Sequence, residues 1–140
     1  MMPTITFGRF VAYTAESFVL GSLIGAERQW RQRTAGLRTN ALVALGAAAF
    51  VMVAGMTIAA DHPLQIAAQV VSGIGFIGGG VIFREGLLVK GLNTAATLWC
   101  SAAVGVLCGS GFAKEAAVVT VFCPLGQCFS SSGCPQAGTR

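Results

Sequence analysis

Three stretches of this chain carry no charged residue at all: Thr39 to Ala60, Leu64 to Phe83 and Asn93 to Phe112. Each is about as long as the ~20 residues a helix needs to cross a ~30 Å hydrocarbon core. A fourth apolar stretch, Phe7 to Ala26, holds Glu16 near its middle, and a fifth begins at Ala116 and fails after Phe122. Hydrophobic residues make up 54% of the 140 and charged residues 10%, against roughly 25% charged in soluble domains. A chain this small cannot cover its surface with so few polar groups unless lipid is its solvent. The expected fold is therefore all-α: a polytopic membrane protein with four transmembrane helices and an incomplete fifth. Residues 7–122 form the helical domain and 123–140 an irregular, disordered tail. A cleaved leader is disfavoured, because Glu16 interrupts the only candidate apolar core for one and further spans follow.

Charge position gives orientation. Arg28, Arg31, Arg33 and Arg38 lie in one loop, Arg84 and Lys90 in another, and both loops fall on the same side of the predicted spans. The opposite side holds Arg9 and Lys114. Basic loops stay in the cytoplasm, so the N-terminus and the Asp61-His62-Pro63 turn are placed outside. The apolar runs flanking the first cluster favour a membrane loop over a nucleic-acid site.

The two loops lead into related segments. Gly36-Leu37-Arg38-Thr39-Asn40-Ala41 resembles Gly91-Leu92-Asn93-Thr94-Ala95-Ala96 at an offset of 55 residues, and Ala47-Ala48 matches Ala102-Ala103 at the same offset. The pattern predicts a parallel two-helix repeat. Thr39 and Thr94 are expected to cap the two helices entering from the cytoplasm, bringing two helix N-termini, Arg38 and Asn93 to one inner face where anions or carboxylates are favoured. Glycines four residues apart, Gly21 and Gly25, Gly75 and Gly79, Gly105 and Gly109, predict close helix crossings within or between chains. Gly73-Ile74-Gly75-Phe76-Ile77-Gly78 also fits a dinucleotide fingerprint, but it lies inside an apolar run with no acid downstream, so it reads as helix seam.

Ionisable groups at membrane depth are functional candidates, which singles out Glu16. Glu27, Arg28, Arg84 and Glu85 read as charge pairs at two helix ends, either anchoring them or forming a network around the helix starts. The five cysteines match no zinc spacing. No nucleophile, base and orienting group come together, so an enzyme is not expected, and neither a metal nor a cofactor is called for. The five carboxylates, split between the two sides, poorly support a magnesium pump, since magnesium takes several oxygen ligands.

Two long stretches carry a resemblance. GSLIGAERQWRQRTAGLRTNALVALGAA is similar to the first signature of the MgtC/SapB family of membrane proteins. IAAQVVSGIGFIGGGVIFREGLLVKGLNTAATLWCSAAVGVLCG is similar to the second. The likeness covers about residues 17–120 and is nearest to the family's virulence-associated MgtC branch. It implies a bacterial inner-membrane protein with about five spans, supporting growth under magnesium limitation and survival in host phagocytes. The implied role is regulatory, through contact with another membrane complex such as the F-type ATP synthase. Asn93 and Thr94 match the family's GLNTAATLW segment, Glu27, Arg28 and Arg38 its ERQWRQR and AGLRTN segments, and Arg84 and Glu85 its REG. The tail CPLGQCFSSSGCPQAGTR departs from the family and reads as truncated or frameshifted, with a natural short form as the alternative; Glu16 is a second departure. The rival to a regulatory subunit is a small oligomeric transporter or channel for an ion or small anion.

Overall fold

The computed structural model describes residues 6–56, 63–85 and 88–132. The expected Asp61-His62-Pro63 turn and the segment 133–140 lie largely outside them. Five helices run in chain order: α1 (Phe7–Trp30), α2 (Leu37–Met56), α3 (Pro63–Gly80), α4 (Leu92–Gly109) and α5 (Ala113–Ser132). Two strands, β1 (Phe83–Glu85) and β2 (Leu88–Lys90), pair antiparallel between α3 and α4, with Phe83 opposite Lys90. The chain is all-α apart from this short hairpin. Among the described residues, two helices, Leu37–Met56 and Leu92–Gly109, are long and apolar enough to cross a membrane.

Boundaries move where local chemistry decides them. α1 runs four residues past Ala26 because Glu27, Arg28 and Gln29 are good helix formers, so the Glu27-Arg28 pair is helical and not in a loop. It ends in a Schellman turn: Gln32 N–H donates to Gln29 O at 3.0 Å and Arg33 N–H to Arg28 O at 3.0 Å, with Gln32 at φ 53°. α4 ends the same way, Gly111 donating to Cys108 O and Phe112 to Leu107 O, both at 2.9 Å, but there Gly111 takes the positive φ of 84°. Three consecutive glycines end α3 at Gly80, short of the expected Phe83, since each exacts a high backbone entropy in a helix. Beyond them Phe83–Glu85 pairs with Leu88–Lys90 as a hairpin, with Phe83 and Val89 as its strand-favouring residues, where the sequence reading placed a loop from Arg84 on.

The expected irregular tail from Cys123 is corrected in part, as α5 continues to Ser132 with Pro124 inside it. Gln127 in its last turns bonds to the bundle, which holds a segment of poor intrinsic propensity in helical form. The repeat holds at its clearest point: α2 and α4 begin at Leu37 and Leu92, the matched residues 55 apart. The connectors differ, one a six-residue loop and the other the hairpin. Thr39 and Thr94 cap neither helix. Thr94 lies inside α4, whose N-cap is Gly91 at φ 93° with no side-chain cap.

α4 is the central helix. Ile24, Val104, Cys108 and Ala116 form one buried cluster joining α1, α4 and α5. Ala47, Ile74, Leu98 and Ala102 form another joining α2, α3 and α4. Glycine sets the spacing. A Cβ on Gly21 would meet Ala44 Cβ at 2.7 Å, one on Gly25 would meet Leu37 Cα at 2.5 Å, and one on Gly109 would meet Ala48 O at 2.7 Å. A Cβ on Gly105 would collide with the Ala44 carbonyl oxygen. α3 departs from the expected seam: a Cβ on Gly75 or Gly79 would meet nothing within 4 Å, and it is Ile74 and Gly78 that face α4, a Cβ on Gly78 falling 3.6 Å from Ala95 Cβ.

Overpacking costs about 1–3 kcal/mol per inserted group. Gly25→Ala and Gly105→Ala are therefore expected to lower the thermal midpoint of the detergent-solubilised chain clearly, and Gly75→Ala and Gly79→Ala to leave it nearly unchanged, as read by size-exclusion chromatography after heating.

Candidate functional site

The last turn of α1 sends Arg28 into the bundle, where 1% of it remains exposed. Its guanidinium is met by three segments, the first connector, α4 and α5. Nη2 donates to Thr94 Oγ1 at 2.6 Å and to the Thr34 carbonyl at 2.8 Å. Nη1 donates to Thr97 Oγ1 at 3.1 Å, to Gln127 Oε1 at 3.3 Å and, at the limit of 3.5 Å, to Asn93 O. The acceptors support one another. Thr97 donates to Asn93 O at 2.7 Å while receiving Gln127 Nε2 at 3.1 Å, and the Thr34 and Thr94 hydroxyls lie 3.1 Å apart. A planar fork of donors suits such divergent acceptors, and a lysine ammonium does not.

A neutral counterpart sits one layer deeper. Asn40, fully buried on α2, donates to Ala35 O at 2.8 Å and Gly36 O at 2.9 Å and accepts from Ser101 Oγ at 2.8 Å. Arg28 and Asn40 thus grip the loop between α1 and α2 from two sides. That loop is strained: Gln32 and Ala35 both hold positive φ, at 53° and 57°, each costing on the order of 1–2 kcal/mol without glycine.

Glu27 forms an ion pair with Arg31 one turn on, yet neither of its carboxylate oxygens accepts an aligned hydrogen bond among the described residues, nor does Arg28 Nε donate one. Arg28 lies beyond the apolar run of residues 7–26. Burial pulls its pKa below the ordinary guanidinium value and the Glu27 carboxylate opposes that; an arginine nonetheless stays protonated. Among the described residues no three His, Cys, Asp or Glu side chains converge as metal ligands. The arrangement is a polar clamp that binds α1, α4, α5 and the first connector at one end of the bundle.

Comparison with known proteins places this architecture. The family model described as MgtC family matches residues 15–130. The chain belongs to the MgtC family. It is 63% identical over 111 residues to Protein MgtC of Brucella abortus (strain 2308), covering 79% of this chain and 47% of that protein. It is 67% identical over 105 residues to Protein MgtC of Salmonella typhimurium (strain LT2), covering 75% of this chain and 45% of that protein. The chain spans about half the length of these MgtC relatives. No solved structure matches it. The family match runs past Phe122, the residue after which the sequence reading ended the bundle.

Of the residues singled out in the sequence, the structure brings together Arg28, Thr94 and the Asn93 carbonyl, with Glu27 beside them. Arg38 is exposed at the start of α2, and the Asn93 side chain is exposed too. Of the two helix starts expected to favour an anion, the α4 start has its acceptors taken by Arg28, through Thr94, Thr97 and the Asn93 carbonyl, while the α2 start keeps Arg38 exposed. Arg84 and Glu85 lie on β1, Arg84 exposed, rather than at a helix end. Glu16 is half-buried on α1, far along the helix from the clamp. Sequence reasoning missed Thr34, Asn40, Thr97, Ser101 and Gln127. A signal was there: Thr94, Thr97 and Ser101 repeat at three and four residues, one polar face on an apolar helix.

Removing the guanidinium strands several buried acceptors, and hydrogen bonds to charged groups contribute ~1.5–3 kcal/mol each. Arg28→Met is expected to lower the thermal midpoint sharply, Arg28→Lys to recover little of it, and Gln127→Ala to cost about 1 kcal/mol. In the strained turn, Gln32→Gly is expected to raise stability by about 1 kcal/mol, measured in the same thermal assay; no gain there would show that the turn carries no strain.

Proposed function

We propose that this chain is the membrane-embedded part of an MgtC-type regulatory protein, and that it acts by laying a helix against another membrane complex. In this reading α1 to α4 cross the bacterial inner membrane and α5 completes the bundle. The basic end faces the cytoplasm and the N-terminus lies outside. Support comes from two helices of sufficient length and apolarity and from outward aromatic groups on others, with Phe76 87% and Phe7 81% exposed. Hydrogen bonding between Arg28 and the start of α4 also puts the two basic loops at one end, as the positive-inside rule requires.

The observation that carries the regulatory reading is the open glycine face of α3. The glycine pairs of α1 and α4 are filled by neighbouring backbone, whereas Gly75 and Gly79 face open space. Small residues at four-residue spacing admit a close helix neighbour in lipid; the described residues supply none here, and in this reading the place belongs to a helix of another chain. The F-type ATP synthase is the proposed partner, and support of growth under magnesium limitation and of survival in phagocytes the proposed outcome; both are what the resemblance of the two signature stretches implies. The transporter reading gains no specific support from the start of α4, whose acceptors Arg28 takes up.

The test is cross-linking of the full chain in native membranes, followed by purification. Wild type is expected to recover a membrane-protein partner. Gly75→Leu and Gly79→Leu, at positions where an added Cβ would meet nothing within 4 Å among the described residues, are expected to lose it while remaining folded. Repeated recovery of the chain alone would sink the proposal.

A further inference from the structure

A cavity of about 740 Å³ opens between α2 and α3, with Ala102 of α4 at its floor. Its α2 wall runs from Arg38 to Phe50 and its α3 wall from Ile66 to Ile77. Twelve residues at ~1.5 Å of rise give the groove a length of about 18 Å, close to the ~15 Å depth of one leaflet. The lining is apolar along its length; Gln69 is its one polar residue away from the α2 start. At that start sit Arg38 and Thr39, in the first turn of α2, where unpaired amides and the helix dipole favour an anion. Arg38 is exposed, and no described residue pairs with it. A fixed cation at one end of a leaflet-long apolar trough has the charge and shape of a phospholipid turned inside out.

We propose that this groove holds one anionic phospholipid, its acyl chain between α2 and α3 and its headgroup phosphate on Arg38 and Thr39. The site rests on the membrane reading given above, but on a different face of α3 from the partner seam. Gly73 lines the groove and is turned roughly 200° from Gly75 at 3.6 residues per turn. An anionic lipid is preferred to a second protein chain on charge: Arg38 stands at one end of the trough, whose α2 wall mixes Leu42, Val43 and Phe50 with the small Gly46 and Ala47. At the walls, a Cβ added to Gly46 or Gly73 would meet nothing within 4 Å, so a larger side chain at either one fills the trough without disturbing the bundle.

The experiment uses the full chain, extracted from carbonate-washed membranes and delipidated in mild detergent. It is then titrated with phosphatidylglycerol or phosphatidylcholine and weighed by native mass spectrometry. One phosphatidylglycerol per chain is expected at concentrations where phosphatidylcholine does not bind. Arg38→Gln should weaken it about tenfold, the loss of one charge-assisted contact, and Arg38→Lys should retain it. Gly46→Leu and Gly73→Leu, on opposite walls, should abolish it with unchanged circular dichroism. Equal binding of the two lipids unaffected by Arg38→Gln would overturn the proposal. So would a second copy of the chain in place of lipid, or glycerol phosphate competing as well as the intact lipid. If the chain stays in the washed membranes and none of the expected shifts appears, the groove proposal fails alone; if the chain is recovered in the soluble fraction, the membrane reading fails with it.

Discussion

A guanidinium withdrawn from water has to be met by acceptors on every side it presents, and much of this bundle is arranged around that demand. Arg28 emerges from the last turn of α1 and is answered by Thr94 and Thr97 of α4, the Thr34 carbonyl and Gln127 of α5. Each acceptor fixes something else. Thr34 can reach Arg28 only because the connector turns through Gln32 and Ala35 at positive φ, and Asn40 holds that turn by donating to the Ala35 and Gly36 carbonyls. The local strain is offset by bonds that exist only when the helices are already together. Such strained backbone persists where its surroundings over-determine it, and here Arg28 and Asn40 do so from opposite sides.

Steric closeness does for the rest of the core what hydrogen bonding does at this end. Lipid supplies no hydrophobic force between helices, so contact depends on how near the backbones can come. Gly21 and Gly25 seat α1 on α2, and Gly105 and Gly109 seat α4 on the Ala44 to Ala48 stretch of α2. α1, α2 and α4 thereby form a tight triplet with little room for added atoms. α3 joins it through Ile74 and Gly78 alone on its glycine-rich length. Held at a greater distance, it leaves a trough toward α2 on one face and an unfilled glycine pair on another.

The helical class was legible because it rests on quantities a sequence displays directly: the length of uncharged runs and the position of arginines. The matched starts at Leu37 and Leu92 were legible for the same reason, as both copies carry Gly-Leu ahead of the apolar run. The clamp was half legible. Arg28 and Thr94 stood out, but their roles did not, because a cap and an acceptor for a distant arginine use the same hydroxyl. Thr97, Ser101 and Asn40 were hidden by scoring each run for apolarity and not for which face its polar residues share. Gln127 was hidden by its setting. Proline, glycine and three cysteines near it read as a broken helix, and only a tertiary partner, Arg28, reveals why that segment winds. Gly75 and Gly79 show the converse: their spacing is indistinguishable from that of Gly21 and Gly25, yet spacing cannot say whether the neighbour belongs to the same chain.

The difference between the two halves of the repeat bears on the proposed action by contact. Both halves place a helix, a connector and a second helix beginning at Gly-Leu. In the first half the connector is six residues long and locked by a buried arginine and a buried asparagine, so α1 and α2 have no freedom to separate. In the second, a hairpin carries the chain from Gly80 to Gly91. There Gly91 at φ 93° lies so near the Val81 carbonyl oxygen that a Cβ would collide with it. That contact fixes the hairpin to the start of α4 but places no polar tie between α3 and the bundle interior among the described residues. A helix held by apolar packing alone can shift at a small cost, whereas one tied through a buried guanidinium cannot. If a ligand or partner biases this protein, the physically available element is α3, and both of the surfaces proposed for binding lie along it.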